Sequence, residues 1–88
     1  MIPDDILQIT ADVQEEYERA ISINSPFNSA HEAYAVLLEE VDELKAEVWK
    51  NKISRDPQAM RKEAVQVAAI ALRFIHDVCD TDGVIRRA

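Results

Sequence analysis

The segment Ala64–Ile75 constrains the fold of this chain more than any other feature of its sequence. All of its residues except Gln66 and Arg73 are apolar. It follows Asp56-Pro57, where aspartate suits the N-cap and proline suits the first helical position because its missing N–H has no partner there anyway. The pattern predicts a helix that begins at Asp56-Pro57 and runs to about Cys79. A helix that is hydrophobic on nearly every side must be covered on several sides.

The rest of the chain predicts two further helices. The first begins at Pro3-Asp4-Asp5 and runs to about Ile21, and the second follows the capping box Ser29-Ala30-His31-Glu32 and runs to about Lys50. With one glycine and three prolines, few positions favour tight turns. Each helix carries one apolar stripe at three- and four-residue steps: Ile6, Ile9, Val13, Tyr17, Ala20 and Ile21 in the first, and Tyr34, Leu37, Val41, Leu44 and Val48 in the second.

These elements predict an all-α fold in a single domain, residues 1–88. A chain of 88 residues buries only about 60% of its unfolded surface, so a lone monomer would be marginally stable. Two other helices can hardly cover the apolar third helix. We therefore expect an antiparallel helical bundle completed by homo-oligomerisation, as a homodimer or homotetramer with the third helix at its centre. A monomeric three-helix bundle with an apolar patch is the alternative.

Charge and cysteine content restrict the partners and the compartment. A net charge of −7 argues against a nucleic acid polymer or an anionic membrane as partner, since both attract basic surfaces. No apolar run approaches the roughly 20 residues that a membrane span needs. The single Cys79 has no intramolecular disulfide partner, and the sequence shows no secretory signal. We expect a cytoplasmic protein.

Acidic residues on the second helix form a candidate metal site. At 100° per residue, Glu40, Glu43 and Glu47 fall in one narrow sector, about a right angle from the apolar stripe. On the third helix, Glu63 and Gln66 are again three residues apart. Oxygen ligands suit Mg²⁺ or Mn²⁺. Spacing alone leaves open a second interpretation, a solvated acidic face without any site.

The order of these motifs resembles a known family. A helix bears Glu40-Val41-Asp42-Glu43 (E-x-x-E), a polar linker follows, and the next helix bears Glu63-Ala64-Val65-Gln66, with 19 residues between Glu43 and Glu63. Over roughly residues 29–78 this order is similar to that of the MazG-like all-α nucleoside triphosphate pyrophosphohydrolase superfamily. In that superfamily the later of the two motif-bearing helices carries E-x-x-D.

The resemblance implies a reaction and the residues for it. Its members hydrolyse a nucleoside or deoxynucleoside triphosphate to the monophosphate and pyrophosphate, often removing unwanted nucleotides. Carried over, Glu40, Glu43 and Glu63 are expected to be catalytic metal ligands for Mg²⁺ or Mn²⁺. Glu39 is the outer-shell or general-base candidate.

Gln66 departs from the family pattern, because it stands where the family has aspartate. Three outcomes are open: Gln66 coordinates metal or binds substrate through its amide, Glu39 supplies the missing carboxylate, or the site binds metal poorly. The last outcome leads to a different class of function, a catalytically silent MazG-like binding or assembly module. An acidic interaction protein with no site is a third possibility.

Five further residues are candidates for contacting a nucleotide. An indole can stack on a base, and cations can contact phosphate oxygens. Their alternatives are an interface tryptophan and ordinary exposed side chains. The candidates are His31, Trp49, Lys50, Lys52 and Arg55.

Arg73, His76 and Cys79 are expected to be structural. Arg73 is the one cation within the apolar segment, and a buried charge needs a partner, so we expect a carboxylate from a neighbouring helix. His76 suits the end of a helix, where the dipole favours a cation. Cys79 is expected to act as a small hydrophobic residue.

Overall fold

The computed structural model describes residues 1–80, and this part of the chain is helical apart from its linkers. Helix α1 spans Asp4–Ile23, α2 spans Ala30–Val48 and α3 spans Pro57–Phe74; a π-helix, Ile75–Asp80, continues α3. The predicted all-α class is confirmed. The third helix is predicted to run to about Cys79, and a helical backbone, π-helical after Phe74, continues to Asp80.

Local capping determines where α2 and α3 begin. The Ser29 side chain accepts a hydrogen bond from the Glu32 backbone N–H at 3.0 Å, as the capping box predicts. The reciprocal bond differs, because the Glu32 carboxylate accepts from the Asn28 backbone N–H at 2.7 Å rather than from that of Ser29. Asp56 accepts from the Gln58 N–H at 2.9 Å and begins α3 as predicted.

The helix ends differ from the predictions by about two residues. Helix α1 continues to Ile23, where both the backbone and the side-chain amide of Asn24 donate to the Ala20 carbonyl oxygen. Helix α2 ends at Val48 because the backbone of Trp49 leaves the helical range, with ψ near 2°. Both ends lie in short linkers, where terminal turns are commonly irregular.

Helix α3 lies between the other two and contacts both. Glu40 is close to Gln66 and Glu43 is close to Glu63, so α2 runs antiparallel to α3. Helix α1 runs in the same direction as α3, because Asp12 bonds Arg61 at 2.6 Å and the end of α1 lies near the end of α3. The pairing of α2 with α3 is an αα-hairpin.

The core of residues 1–80 is small. Its buried apolar residues are Ala20, Ala33, Ala69 and Ile70, and no large side chain is completely buried. Small side chains at these positions let the helices approach closely, but they bury little apolar area.

The predicted stripe of α2 is divided between two environments. Leu37, Leu44 and Val48 are half-buried against α3, whereas Tyr34 and Val41 are exposed. An apolar stripe of this kind is expected to pack into the core. Tyr34 and Val41 do not, because α3 covers only one side of the stripe.

Arg73 and Asp77 hold the linker between α1 and α2. Arg73 is only 4% exposed, donates to the Ser25 carbonyl oxygen at 3.2 Å and lies 4.0 Å over the Phe27 ring. The Phe27 N–H donates to Asp77 at 3.1 Å. The expected carboxylate partner of Arg73 is not found within residues 1–80; a backbone carbonyl and an aromatic face take its place.

Residues Ile75–Asp80 are not the regular α-helix that the sequence predicts. They form the π-helix, and the Asp77 side chain lies within 3.1 Å of His76 as well as Phe27. Cys79 is exposed. Among the described residues, none of the helices is long and apolar enough to cross a membrane.

Candidate metal centre

Helices α2 and α3 bring three carboxylates together. One oxygen from each of Glu40, Glu43 and Glu63 lies within 4.8 Å of the other two. Residues three apart on α2 share one face, and the antiparallel direction of α3 places Glu63 opposite them. The sequence spacing indicates the α2 pair, and the packing of the hairpin adds the third carboxylate.

Burial and mutual repulsion act on this cluster. Burial raises the pKa of Glu40, and the negative charges of Glu43 and Glu63 raise it further. Burial likewise raises the pKa of Glu63, followed by the charge of Glu43. Glu43 itself is exposed. The burial and the nearby negative charges disfavour the ionised forms of Glu40 and Glu63, and a bound cation removes that penalty.

Gln66 completes the cluster as a hydrogen-bond donor. With its NH₂ group facing the carboxylates, the orientation that satisfies its neighbours, it donates to Glu63 Oε1 at 2.9 Å and to Glu40 Oε2 at 3.1 Å. The amide thus bridges the two helices within the cluster. To act as a ligand, it must rotate so that its carbonyl oxygen faces the ion.

The donor set fits a hard divalent cation. Mg²⁺ is bound octahedrally by oxygens at about 2.0–2.1 Å, so its adjacent ligands are about 2.9 Å apart and its opposite ligands about 4.2 Å apart. The carboxylate oxygens, which lie within 4.8 Å of one another, therefore need to approach by up to about 2 Å. Glu40, Glu43 and Glu63 can hold one such ion if their side chains move closer together by that amount.

Two other acidic residues lie at the edge of the cluster. Glu39 is exposed and is not one of the three close carboxylates, although its charge contributes to raising the pKa of Glu40. Glu47 pairs with Lys50 at 2.8 Å, and its charge helps to raise the pKa of Glu63.

A cleft between α1 and α3 adjoins the cluster. Its volume is about 280 Å³, near the lower end for small-molecule sites. Gln66 belongs to both the cleft and the cluster. Lys62 also connects them, because its charge lowers the pKa of both Glu16 and Glu63. The cleft is lined by Asp12, Glu15, Glu16, Gln58, Arg61, Lys62, Val65 and Gln66.

Sequence reasoning did not identify the cations of this cleft. Arg61 and Lys62 directly precede Glu63, so their position beside the acidic motif was visible in the sequence. Their position next to α1 was not visible in the sequence. Arg61 bonds Asp12, a residue 49 positions away, and only the tertiary structure shows that pairing.

The predicted nucleotide-contacting residues lie elsewhere in the described chain, and none of them lines the cleft. His31 is exposed in the first turn of α2. Trp49 is 73% exposed, and Lys45 lies 5.8 Å from its ring. The remaining three lie at or beyond the end of α2: Lys50 pairs with Glu47, Arg55 donates to the Lys50 carbonyl oxygen, and Lys52 is exposed.

Comparison with protein families, curated proteins and solved structures finds no match to this chain. The resemblance to the MazG-like superfamily therefore rests on the acidic motifs and the order of the helices.

Proposed function

We propose that the protein is a metal-dependent nucleotide pyrophosphohydrolase with a MazG-like fold, assembled from more than one copy. It cleaves a nucleoside or deoxynucleoside triphosphate to the monophosphate and pyrophosphate, and it removes unwanted nucleotides. One observation carries the proposal: two antiparallel helices bring Glu40, Glu43 and Glu63 within 4.8 Å of one another.

The chain's own residues have distinct roles in this reaction. Glu40, Glu43 and Glu63 hold Mg²⁺ or Mn²⁺, which when bound offsets phosphate charge and lowers the pKa of a bound water. The exposed Glu39 carboxylate accepts a proton as the water oxygen bonds the α-phosphorus and the bond to the bridging oxygen breaks. Pyrophosphate leaves with that oxygen. Lys62 contacts phosphate oxygens from the adjoining cleft.

A second function is favoured by Gln66. Its amide already bridges Glu40 and Glu63, so the helices are joined without a metal ion. A protein that needs no cation to hold its hairpin together can serve as a catalytically silent binding or assembly module.

The deciding experiment measures pyrophosphate release from a panel of standard and modified nucleoside triphosphates. We expect release with Mg²⁺ or Mn²⁺ and none with chelator. Glu40→Gln should reduce the rate by more than about 100-fold, because it removes a ligand rather than an outer-shell partner. Asp42→Asn is the matched control, since Asp42 is exposed on the same helix and lies outside the cluster; its rate should be unchanged.

Thermal unfolding separates the two functions. A ligand that binds only the folded state raises the melting temperature, so Mg²⁺ should stabilise the wild-type chain and not Glu40→Gln. A folded protein that releases no pyrophosphate from any nucleotide contradicts the enzyme and supports the silent module.

A further inference from the structure

Arg73 is a buried cation that makes a single hydrogen bond within residues 1–80. It is only 4% exposed, and its Nη2 donates to the Ser25 carbonyl oxygen at 3.2 Å. A guanidinium carries five N–H donors. The Nε–H of Arg73 is buried and has no acceptor in this part of the chain. Because buried donors are nearly always paired, the Arg73 side chain is suited to a further acceptor that carries negative charge.

Two cavities border Arg73. The first, here called the Arg73 cavity, has a volume of about 210 Å³ and lies between α1, the following linker and the π-helix. The second has a volume of about 240 Å³ and lies between the same linker and α2, where the exposed Glu32 is one of its walls. The Arg73 cavity offers the nitrogen-bearing side chains of Asn24 and His76 instead. An anion is therefore better placed in the Arg73 cavity.

Asp77 limits the charge of what this cavity can hold. It is the one carboxylate among the described residues that line the cavity. One of its oxygens accepts the Phe27 N–H at 3.1 Å, and the other lies 3.1 Å from His76 Nδ1. A second negative charge on the ligand would double its repulsion by Asp77. One cation beside one carboxylate therefore favours a singly charged ligand over phosphate.

We infer that the Arg73 cavity binds a small monocarboxylate. The planar guanidinium matches a carboxylate in geometry and can donate two parallel N–H groups to it. Tyr17, Ile21 and Pro26 form an apolar wall against which a short hydrocarbon body packs. The volume of about 210 Å³ is below the usual range for drug-sized ligands, so the ligand is small.

This site is separate from the candidate metal centre. Arg73 follows Glu63 by ten residues on α3, which places them about 15 Å apart along the helix axis. None of the three clustered carboxylates lines the Arg73 cavity. Carboxylate binding and nucleotide hydrolysis can therefore succeed or fail independently.

Two-dimensional ¹H–¹⁵N NMR on the full chain tests the site, with sodium benzoate and sodium propionate as probes at constant ionic strength. We expect a saturable shift of the Arg73 Nε–H resonance, because this donor lies in the group that the carboxylate binds. The Nε–H resonance of the exposed Arg55 is the reference and should not follow the same curve. Sodium chloride and sodium phosphate should give no saturable shift at Arg73. Equal responses to phosphate and benzoate, or none to either carboxylate, overturn the inference.

Two substitutions on α1 locate the binding without removing the buried cation. Ile21→Trp adds bulk inside the cavity at a position that is 46% exposed, so the chain should still fold. Benzoate binding should weaken by more than about tenfold, because an overfilled cavity excludes the ligand. Ile23→Trp is the matched control, since Ile23 is 66% exposed on the same helix and does not line the cavity; it should bind as the wild-type chain does. Equal affinities of the folded Ile21→Trp and Ile23→Trp variants contradict the site. If Ile21→Trp does not fold, the wild-type titration against Arg55 still decides.

Discussion

Gln66 stands where the MazG-like pattern that the chain resembles has an aspartate, and its amide does what an ionised aspartate cannot. It donates hydrogen bonds to Glu40 and Glu63, two carboxyl groups whose pKa values are raised by burial and by their neighbours' charges. An aspartate at this position would add another negative charge to the same few ångströms. The amide therefore favours the metal-free fold, and a carboxylate would favour the metal-bound one.

Gln66→Asp tests this balance. In chelator we expect the free energy of unfolding to fall by about 1–3 kcal/mol, since two hydrogen bonds to carboxylates are lost. The same variant should bind Mg²⁺ more tightly, because the site gains a charged ligand. Thermal melts with chelator and with Mg²⁺ measure both effects.

Gln58→Asp is the matched control for that substitution, because it makes the same change on the same helix outside the cluster. Its response to Mg²⁺ should equal that of the wild-type chain. A Gln66→Asp variant whose melting temperature responds to Mg²⁺ no more than this control contradicts the role given to the amide.

The raised pKa values of Glu40 and Glu63 predict a pH dependence of stability. Both exceed the ordinary value of 4.5 in the folded chain, so above that pH the folded state holds more protons than the unfolded state. The free energy of unfolding then falls as pH rises through the raised values. In chelator, we expect the melting temperature to decrease over the pH range just above 4.5.

Glu63→Gln should make the decrease of melting temperature with rising pH smaller, because one of the two titrating groups is removed. Asp12 and Glu16 do not obscure it. The hydrogen bond from Arg61 lowers the pKa of Asp12 and that from Arg19 lowers the pKa of Glu16, so their contributions are lost only at lower pH. If the melting temperature of Glu63→Gln falls with pH as steeply as that of the wild-type chain over the same range, the decrease does not come from Glu63.

At the scale of elements, α3 organises the described structure. It contacts both α1 and α2, and it supplies Glu63 and Gln66 to the candidate site. Its start is fixed by one side chain, since Asp56 accepts the Gln58 N–H. Loss of this N-cap is therefore expected to affect the core and the acidic cluster together.

Asp56→Ala should destabilise the fold by about 1 kcal/mol, because the first turn of α3 loses its cap. For a domain of this size, that lowers the melting temperature by roughly 4–8 °C. Asp56→Asn keeps a good cap and should melt close to the wild-type temperature. Circular dichroism at 222 nm provides the measurement. Equal melting temperatures of the alanine and asparagine variants would show that the cap does not stabilise the fold.

At the scale of the whole molecule, a small core is combined with an elongated shape. Its buried apolar residues among positions 1–80 are three alanines and Ile70. Such a core contributes little hydrophobic stabilisation, and the proposed assembly from more than one copy would supply more.

Stability should therefore depend on protein concentration. When folding is coupled to association, a higher protomer concentration raises the melting temperature. We expect a clear increase between dilute and hundredfold more concentrated samples of the full chain. A melting temperature independent of concentration would show that the protomer is stable alone.

The number of helices and the starts of α2 and α3 follow from local patterns in the sequence. Ser29 and Asp56 cap N–H groups only two or three residues away, so the signal and its effect lie in the same short segment. The spacing of Glu40 and Glu43 indicated a shared face for the same reason.

Three features follow only from how the helices pack: which side of α2 is buried, which groups Gln66 bonds and how the linker between α1 and α2 is held. Each depends on the direction from which another element approaches. Asp77 accepts a hydrogen bond from Phe27, 50 residues away, and no local pattern specifies that contact. Tyr34 and Leu37 look equivalent in the stripe, but α3 covers only Leu37, because a helix can be covered by a neighbour on one side and left open on the other.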